Sequence, residues 1–219
     1  MKRILFLVIL LFIAIFTAYF MTLNKKIPLP ILNPIDLNSE MVDSSLLSLG
    51  LGHTIGKFSF SNQEGKVISE KDVKNKVFVA EYFFTTCGTI CPQMNLQMQR
   101  VQKAFEGNNN FKILSFTVNP EIDTVAQMKM YAQSHGAIPN QWHFLTGSKT
   151  DLYNLARKSF FVLKPAESQN LGDANSDFIH TDNFVLIDQK MRIRGYYEGT
   201  SSQQVDKLIK DIDQLLEEK

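Results

Sequence analysis

Two cysteines are the only thiols in this chain of 219 residues, and they stand four positions apart in Phe83-Phe84-Thr85-Thr86-Cys87-Gly88-Thr89-Ile90-Cys91-Pro92. In an extended segment their Cα atoms would lie roughly 13 Å apart. A disulfide needs roughly 4.4–6.8 Å, and shared ligation of one ion needs similar closeness. The chain must therefore turn between them if they act together. Gly88 and a helix start at Pro92 are the expected means, which puts the thiols where a strand passes through a tight loop into a helix. A thiol at a helix N-terminus is biased toward thiolate, so Cys91, beside Pro92, is expected to be the better activated of the two. Three chemistries fit the pair: a structural disulfide, thiol redox exchange, or ligation of a soft metal ion.

A metal would need a third ligand, and the chain offers four histidines. His53, in the Gly-Leu-Gly approach, reads as a solvated loop residue. His135 precedes Gly136 at an expected helix end, where a cation suits the helix dipole. His143, inside Trp142-His-Phe-Leu, reads as a packed strand residue. His180 stands where a long polar loop enters an apolar strand, a place where sites are often built, and ranks first. Met94 and Met98 add soft sulfur after Cys91, but their spacing matches the buried face of a helix, where methionine commonly fills a core.

The elements that must carry these residues alternate in type. Asn62-Gln63-Glu64-Gly65 joins a hairpin. Lys76 to Phe84 and Phe111 to Val118 read as strands buried on both faces. Helices are expected over Pro92 to Phe105, Thr124 to His135 and Thr150 to Phe160, with a short strand at Trp142 to Leu145. The loop Val162 to Asp177 precedes a hairpin, Phe178 to Ile187 with Arg192 to Tyr197, and a last helix over Ser201 to Leu216. The order is that of an α/β, thioredoxin-like fold with its cysteines at the first strand-to-helix junction, the strand end where such folds bind ligands.

Upstream, Ile4 to Leu23 is an uncharged run of 20 residues, long enough for a transmembrane helix. A cleaved signal peptide would have a shorter apolar region and a small-residue cleavage site, and Tyr19-Phe20-Met21 does not supply one. Lys2 and Arg3 place the N-terminus in the cytoplasm and the domain on the periplasmic, extracytoplasmic side of the cell membrane, where disulfides persist. The expected organisation is a membrane anchor over 1–24, a proline-bearing linker over 25–49 and a folded domain over 50–219. Net charge is +1, but setting aside Lys2, Arg3, Lys25 and Lys26 leaves 19 basic against 22 acidic side chains. A nucleic-acid surface needs a basic face, so that class is excluded.

The chain resembles the Sco/SenC family of membrane-tethered, thioredoxin-like copper proteins. The resemblance is carried by Phe84-Thr-Thr-Cys87-Gly-Thr-Ile-Cys91-Pro92, Met98-Gln-Arg-Val-Gln102, Val118-Asn-Pro-Glu-Ile-Asp-Thr124, Trp142-His-Phe-Leu-Thr-Gly147, His180, Leu186-Ile-Asp and Ile193-Arg-Gly-Tyr196. It covers nearly everything from Lys57 to the C-terminus. It implies that Cys87, Cys91 and His180 hold one copper ion, and that the chain delivers copper to, or reduces the cysteines of, the copper A subunit of cytochrome c oxidase during assembly. A thiol-disulfide reductant is then a further partner. Thiolates and imidazole suit cuprous ion, although zinc accepts the same groups. Asn119 departs from the family's usual aspartate, leaving Glu121 and Asp123 as the loop's carboxylates. A thiol-disulfide oxidoreductase without copper delivery uses the same cysteines and is the alternative.

Overall fold

The computed structural model describes residues 2–23, 27–37, 42, 44–47, 50–162 and 181–218. Helix α1 spans Lys2–Leu23, and a single 3-10 turn covers Pro34–Asp36. Among the described residues no helix is long and apolar enough to cross a membrane. Leu11, Phe12, Ile15 and Phe16 of α1 are nevertheless large, apolar and exposed.

Downstream of the one-turn helix α2 (Ser44–Leu47), the hairpin forms as expected. Strands β1 (Ser59–Asn62) and β2 (Val67–Ser69) pair antiparallel, and the Asn62 Oδ1 accepts from the backbone of Glu64 and Lys66 to hold the turn. A one-turn helix α3 (Glu70–Val73) follows, started by Ser69 and Asp72 in a reciprocal cap. It is too short for periodicity to reveal. The order then runs β3 (Val77–Phe83), α4 (Cys91–Ala104), β4 (Phe111–Thr117), α5 (Val125–Ser134), β5 (Trp142–Thr146), α6 (Lys149–Lys158), β6 (Asn183–Ile187), β7 (Ile193–Glu198) and α7 (Ser202–Glu217). Thr124 caps α5 by accepting from Gln127 N, and Gly136 follows its end at φ +63°, a turn that glycine makes without steric cost.

These strands form one seven-stranded sheet in the order β2-β1-β5-β4-β3-β6-β7. β3, β4 and β5 run parallel, while β6 lies antiparallel to β3 and β7 to β6. All seven residues of β3 are buried, because successive side chains enter opposite cores. Phe78, Ala80 and Tyr82 join Leu114, Phe116 and the apolar face of α6. Val77, Val79 and Phe83 join Phe144 and Trp142 beneath α4, α5 and α7. Met94 and Met98, at 1% and 0% exposure, belong to that second core, so the core reading of both methionines holds.

The topology creates two poles. β3 and β4 end, β6 begins and β7 ends at one of them, which carries the cysteines. The opposite pole holds the β6–β7 turn and the C-terminus of α7.

Candidate metal and thiol site

Strand β3 ends at Phe83, and the chain turns at once: Cys87 N donates to Phe84 O at 3.2 Å. That turn brings the cysteines together. Gly88 was the expected pivot, but it has no positive φ, and a Cβ there would meet nothing within 4 Å. Helix α4 begins at Cys91 itself, with Pro92 in its first turn, where a missing N–H costs no hydrogen bond.

The strand-side end of the loop is held by Asp123. This carboxylate is fully buried and accepts from Thr85 N at 3.2 Å, from Thr85 Oγ1 at 2.5 Å and from the Thr117 hydroxyl. It therefore joins the end of β3, the end of β4 and the loop over residues 119–124. Thr85 spends its hydroxyl on this carboxylate. Thr89 is the threonine beside the sulfur, its Oγ1 3.6 Å from Cys87 Sγ.

Both cysteines are free thiols, Cys87 half-buried and Cys91 buried. Cys91 N donates to Cys87 Sγ at 3.5 Å. Burial raises the Cys87 pKa, but hydrogen bonds from the Cys91 side chain and backbone and from Thr89 outweigh it, and the thiol falls to about 7. Burial and the hydrogen bond to Cys87 push Cys91 up to about 12. The expected ranking is thus reversed. The helix N-terminus does activate a sulfur, but its first N–H points at Cys87, while Cys91 is the residue whose side chain is drawn into the core.

Three polar residues near the thiols were not foreseen. Glu81 on β3 is buried on the α4 side of the sheet and accepts from Ser115 Oγ at 2.5 Å, and that hydroxyl also accepts from Trp142 Nε1 at 2.8 Å. Burial pushes its carboxyl up to about 7, with the Ser115 hydrogen bond partly offsetting it. Buried Asn95 on α4 donates to the Tyr131 hydroxyl at 2.5 Å, and the Tyr131 ring packs on Phe83 at 5.5 Å. A single acidic letter inside an apolar strand was the available signal for Glu81.

The histidines separate cleanly. His53 is partly buried, with its ring 4.6 Å from Phe161 and Nε2 2.9 Å from Ser159 O, so the solvated-loop reading is corrected. Burial lowers its pKa, partly offset by that carbonyl. His135 caps α5, its Nδ1 2.8 Å from Tyr131 O. His143 is buried against Asn62, as a packed strand residue. His180 lies outside the described residues. Its neighbour Thr181 is described and buried, and Asp182 O accepts from Gly199 N at 2.6 Å, which places this end of the chain at the cysteine pole, just before β6.

Among the described residues, no three His, Cys, Asp or Glu side chains are grouped to hold a metal ion. Two adjacent soft sulfurs, one ionised near neutral pH, are two-thirds of a low-coordinate cuprous site and fit that ion by chemistry. They are equally the two sulfurs of a dithiol couple.

Comparison with known proteins narrows the class. The family model described as SCO1/SenC matches residues 49–217. The SCO1 protein homolog of Bacillus subtilis is 33% identical over 166 residues, 74% of this chain and 82% of that one. A solved structure of BsSco, described by its disulfide switch and as a member of the Sco family of cytochrome c oxidase assembly proteins, matches at TM-score 0.65 and 32% identity, over 77% of this chain and 96% of that one. The copper-bound ScoI of Arabidopsis thaliana matches at TM-score 0.56 and 26% identity, over 73% and 98%. With its two cysteines at the β3–α4 junction and the match spanning residues 49–217, the chain belongs to the SCO1/SenC family.

Proposed function

We propose that this chain is a membrane-tethered, extracytoplasmic copper-binding protein that serves the copper A site of cytochrome c oxidase during assembly. Copper is its cargo, held by Cys87, Cys91 and His180. The observation that carries this reading is the adjacency of two free thiols of opposite acidity at the end of β3. The copper bound by the Arabidopsis relative and the oxidase-assembly family of BsSco support it. In this reading residues 1–24 are the anchor, 25–49 the linker and 50–219 the copper-binding domain, with the exposed apolar side chains of α1 in lipid. A site at a loop end is open to a partner's sulfurs, so the ion passes by exchange of one thiolate ligand at a time.

The test is a copper titration of the reduced domain from Lys25 onward. One equivalent of copper, with sulfur-to-copper charge-transfer absorption in the cupric form, is expected, and both are lost in Cys87→Ala and in His180→Ala. A domain that takes up no stoichiometric copper overturns the reading.

One observation favours a second reading, reduction of the target's cysteines. Cys87 is ionised near neutral pH and backed by a protonated Cys91. The Cys87 thiolate attacks a partner disulfide, forming a mixed disulfide and releasing one partner thiolate. Cys91 then loses its proton and attacks Cys87 Sγ, releasing the second partner sulfur and leaving a Cys87–Cys91 disulfide. Two electrons have passed to the partner, and an external dithiol reductant restores the pair. His180→Ala leaves this exchange intact while abolishing copper uptake, which separates the two readings.

A further inference from the structure

The segment over residues 27–37 is bound to the folded domain along its length. Pro28, Pro30 and Pro34 have no N–H to give a sheet, so only one ladder contact forms, Leu32 N to Ile193 O at 2.9 Å on the outer edge of β7. The segment's carbonyls are met by side chains instead. Gln214 Nε2 donates to Ile27 O at 2.7 Å, and Arg194 donates to Leu29 O at 2.7 Å and to Pro30 O at 3.0 Å. Arg194 is 4% exposed and is held in turn by Asp188 at 2.9 Å and Glu218 at 3.0 Å. Farther on, Asn33 Oδ1 accepts from Gly52 N and His53 N.

Gln214, Glu218, Asp188 and the start of β7 all lie at the pole opposite the cysteines. Three residues lie between Leu23, the last residue of α1, and Ile27, so the two are four chain steps apart, a span of at most about 14 Å. The seven residues of β3 alone put roughly 23 Å between that pole and the cysteine loop. The tether is too short, and the segment that follows it too firmly bound, for the domain to roll over.

We infer that residues 27–37 are a strap clamped by Arg194, which seats the far pole of the domain on the bilayer and points Cys87 away from it. This rests on α1 being the membrane anchor of the proposed function. The partner that meets Cys87 is then one whose accepting sulfurs stand clear of the membrane surface by about the height of the sheet. A site lying flush with the headgroups is out of reach.

The full chain, with Cys87→Ser and Cys91→Ser, is reconstituted in phosphatidylcholine vesicles containing a lipid with a nitroxide on its headgroup. A small fluorophore is attached at Lys190→Cys, in the exposed β6–β7 turn, or at Thr89→Cys, exposed in the cysteine loop. Most of the emission from Lys190→Cys is expected to be quenched and that from Thr89→Cys left unchanged. Arg194→Met, and independently Leu32→Pro, which deletes the single ladder bond, are expected to narrow the difference. Equal quenching at the two positions in a chain that floats with the vesicles overturns the orientation and leaves the anchor standing. A chain that does not float overturns the anchor and the orientation together.

Discussion

The Cys91 amide donates to Cys87 Sγ at 3.5 Å, and that contact, together with the Cys91 thiol's hydrogen bond to Cys87 and the burial of Cys91, gives two cysteines in one short loop opposite acidities. Reactivity should follow thiolate content. In the reduced, metal-free domain, iodoacetamide labelling of Cys87 is expected to rise through a midpoint near pH 7, while Cys91 stays unlabelled until well into the alkaline range. Mass mapping of the labelled peptides between pH 5 and 10 measures both. A common midpoint for the two sulfurs would show that burial and hydrogen bonding do not discriminate between them.

Asp123 gives the second prediction. Its carboxylate ties Thr85 at the head of the cysteine loop to Thr117 at the end of β4, in a fully buried setting. Asp123→Ala leaves the Thr117 hydroxyl and the Thr85 N–H without their acceptor, at a cost of about 2–4 kcal/mol. Asp123→Asn retains one acceptor oxygen and should lose about half as much. Urea unfolding reads the stability. The labelling experiment reads the geometry, because a loosened loop should let the Cys87 midpoint drift upward in the alanine variant even under conditions where the domain stays folded.

The methionines give a third. Met98 is wholly enclosed beneath the sheet, among Val101, Phe111 and the α7 side chains. Met98→Leu preserves volume and should cost less than about 1.5 kcal/mol, while Met98→Ala opens a cavity at about 2–5 kcal/mol. Copper stoichiometry is expected to be unchanged in the leucine variant. A lost equivalent of copper in a stable Met98→Leu domain would make the thioether a ligand and not a core group.

How much of this was readable before folding depended on whether a residue's role was periodic or positional. The doubly buried β3, the face of α4 carrying Met94 and Met98, and the Thr124 cap all follow from patterns within one element, and they stand as read. The relative acidity of the cysteines did not follow, because it turns on which sulfur is buried and which one accepts the hydrogen bonds of the other cysteine, and spacing along the chain states neither. Asp123 was legible as a carboxylate near the site, but its bonds to Thr85 and Thr117 join residues up to 38 positions apart. His53 misled for a similar reason: its glycine neighbours suggest freedom, while its partners, Ser159 and Phe161, come from the other end of the domain. The strap was hidden in the same way, since prolines signal stiffness but do not say what a stiff segment lies against.

Two buried groups on the inner strands make stability depend on pH, and they pull in opposite directions. Asn62 Oδ1 is occupied by the amides of Glu64 and Lys66, so its Nδ2 must be what faces His143 Nδ1, at 3.3 Å. That nitrogen accepts and the ring is neutral. Burial, then Lys112, brings His143 down from 6.5 to about 4. Between those values the unfolded chain takes up a proton that the folded one refuses, so the stabilisation present above pH 6.5 is lost as pH falls toward 4. Glu81 is raised from 4.5 to about 7, so the folded chain holds a proton that the unfolded one gives up. Its stabilisation is complete below pH 4.5 and is lost as pH rises through 7. Each amounts to about 3 kcal/mol over its window, and the two nearly cancel in the overlap between pH 4.5 and 6.5. The urea midpoint of the parent domain should therefore be almost flat there. In Glu81→Gln the midpoint should climb with pH from 4 to 6.5, because the His143 term is no longer opposed. In His143→Gln the climb should be lost and the midpoint should fall toward pH 7, because the Glu81 term is no longer opposed by His143. Parallel profiles in the two variants would mean that neither group keeps its buried proton state in the folded chain.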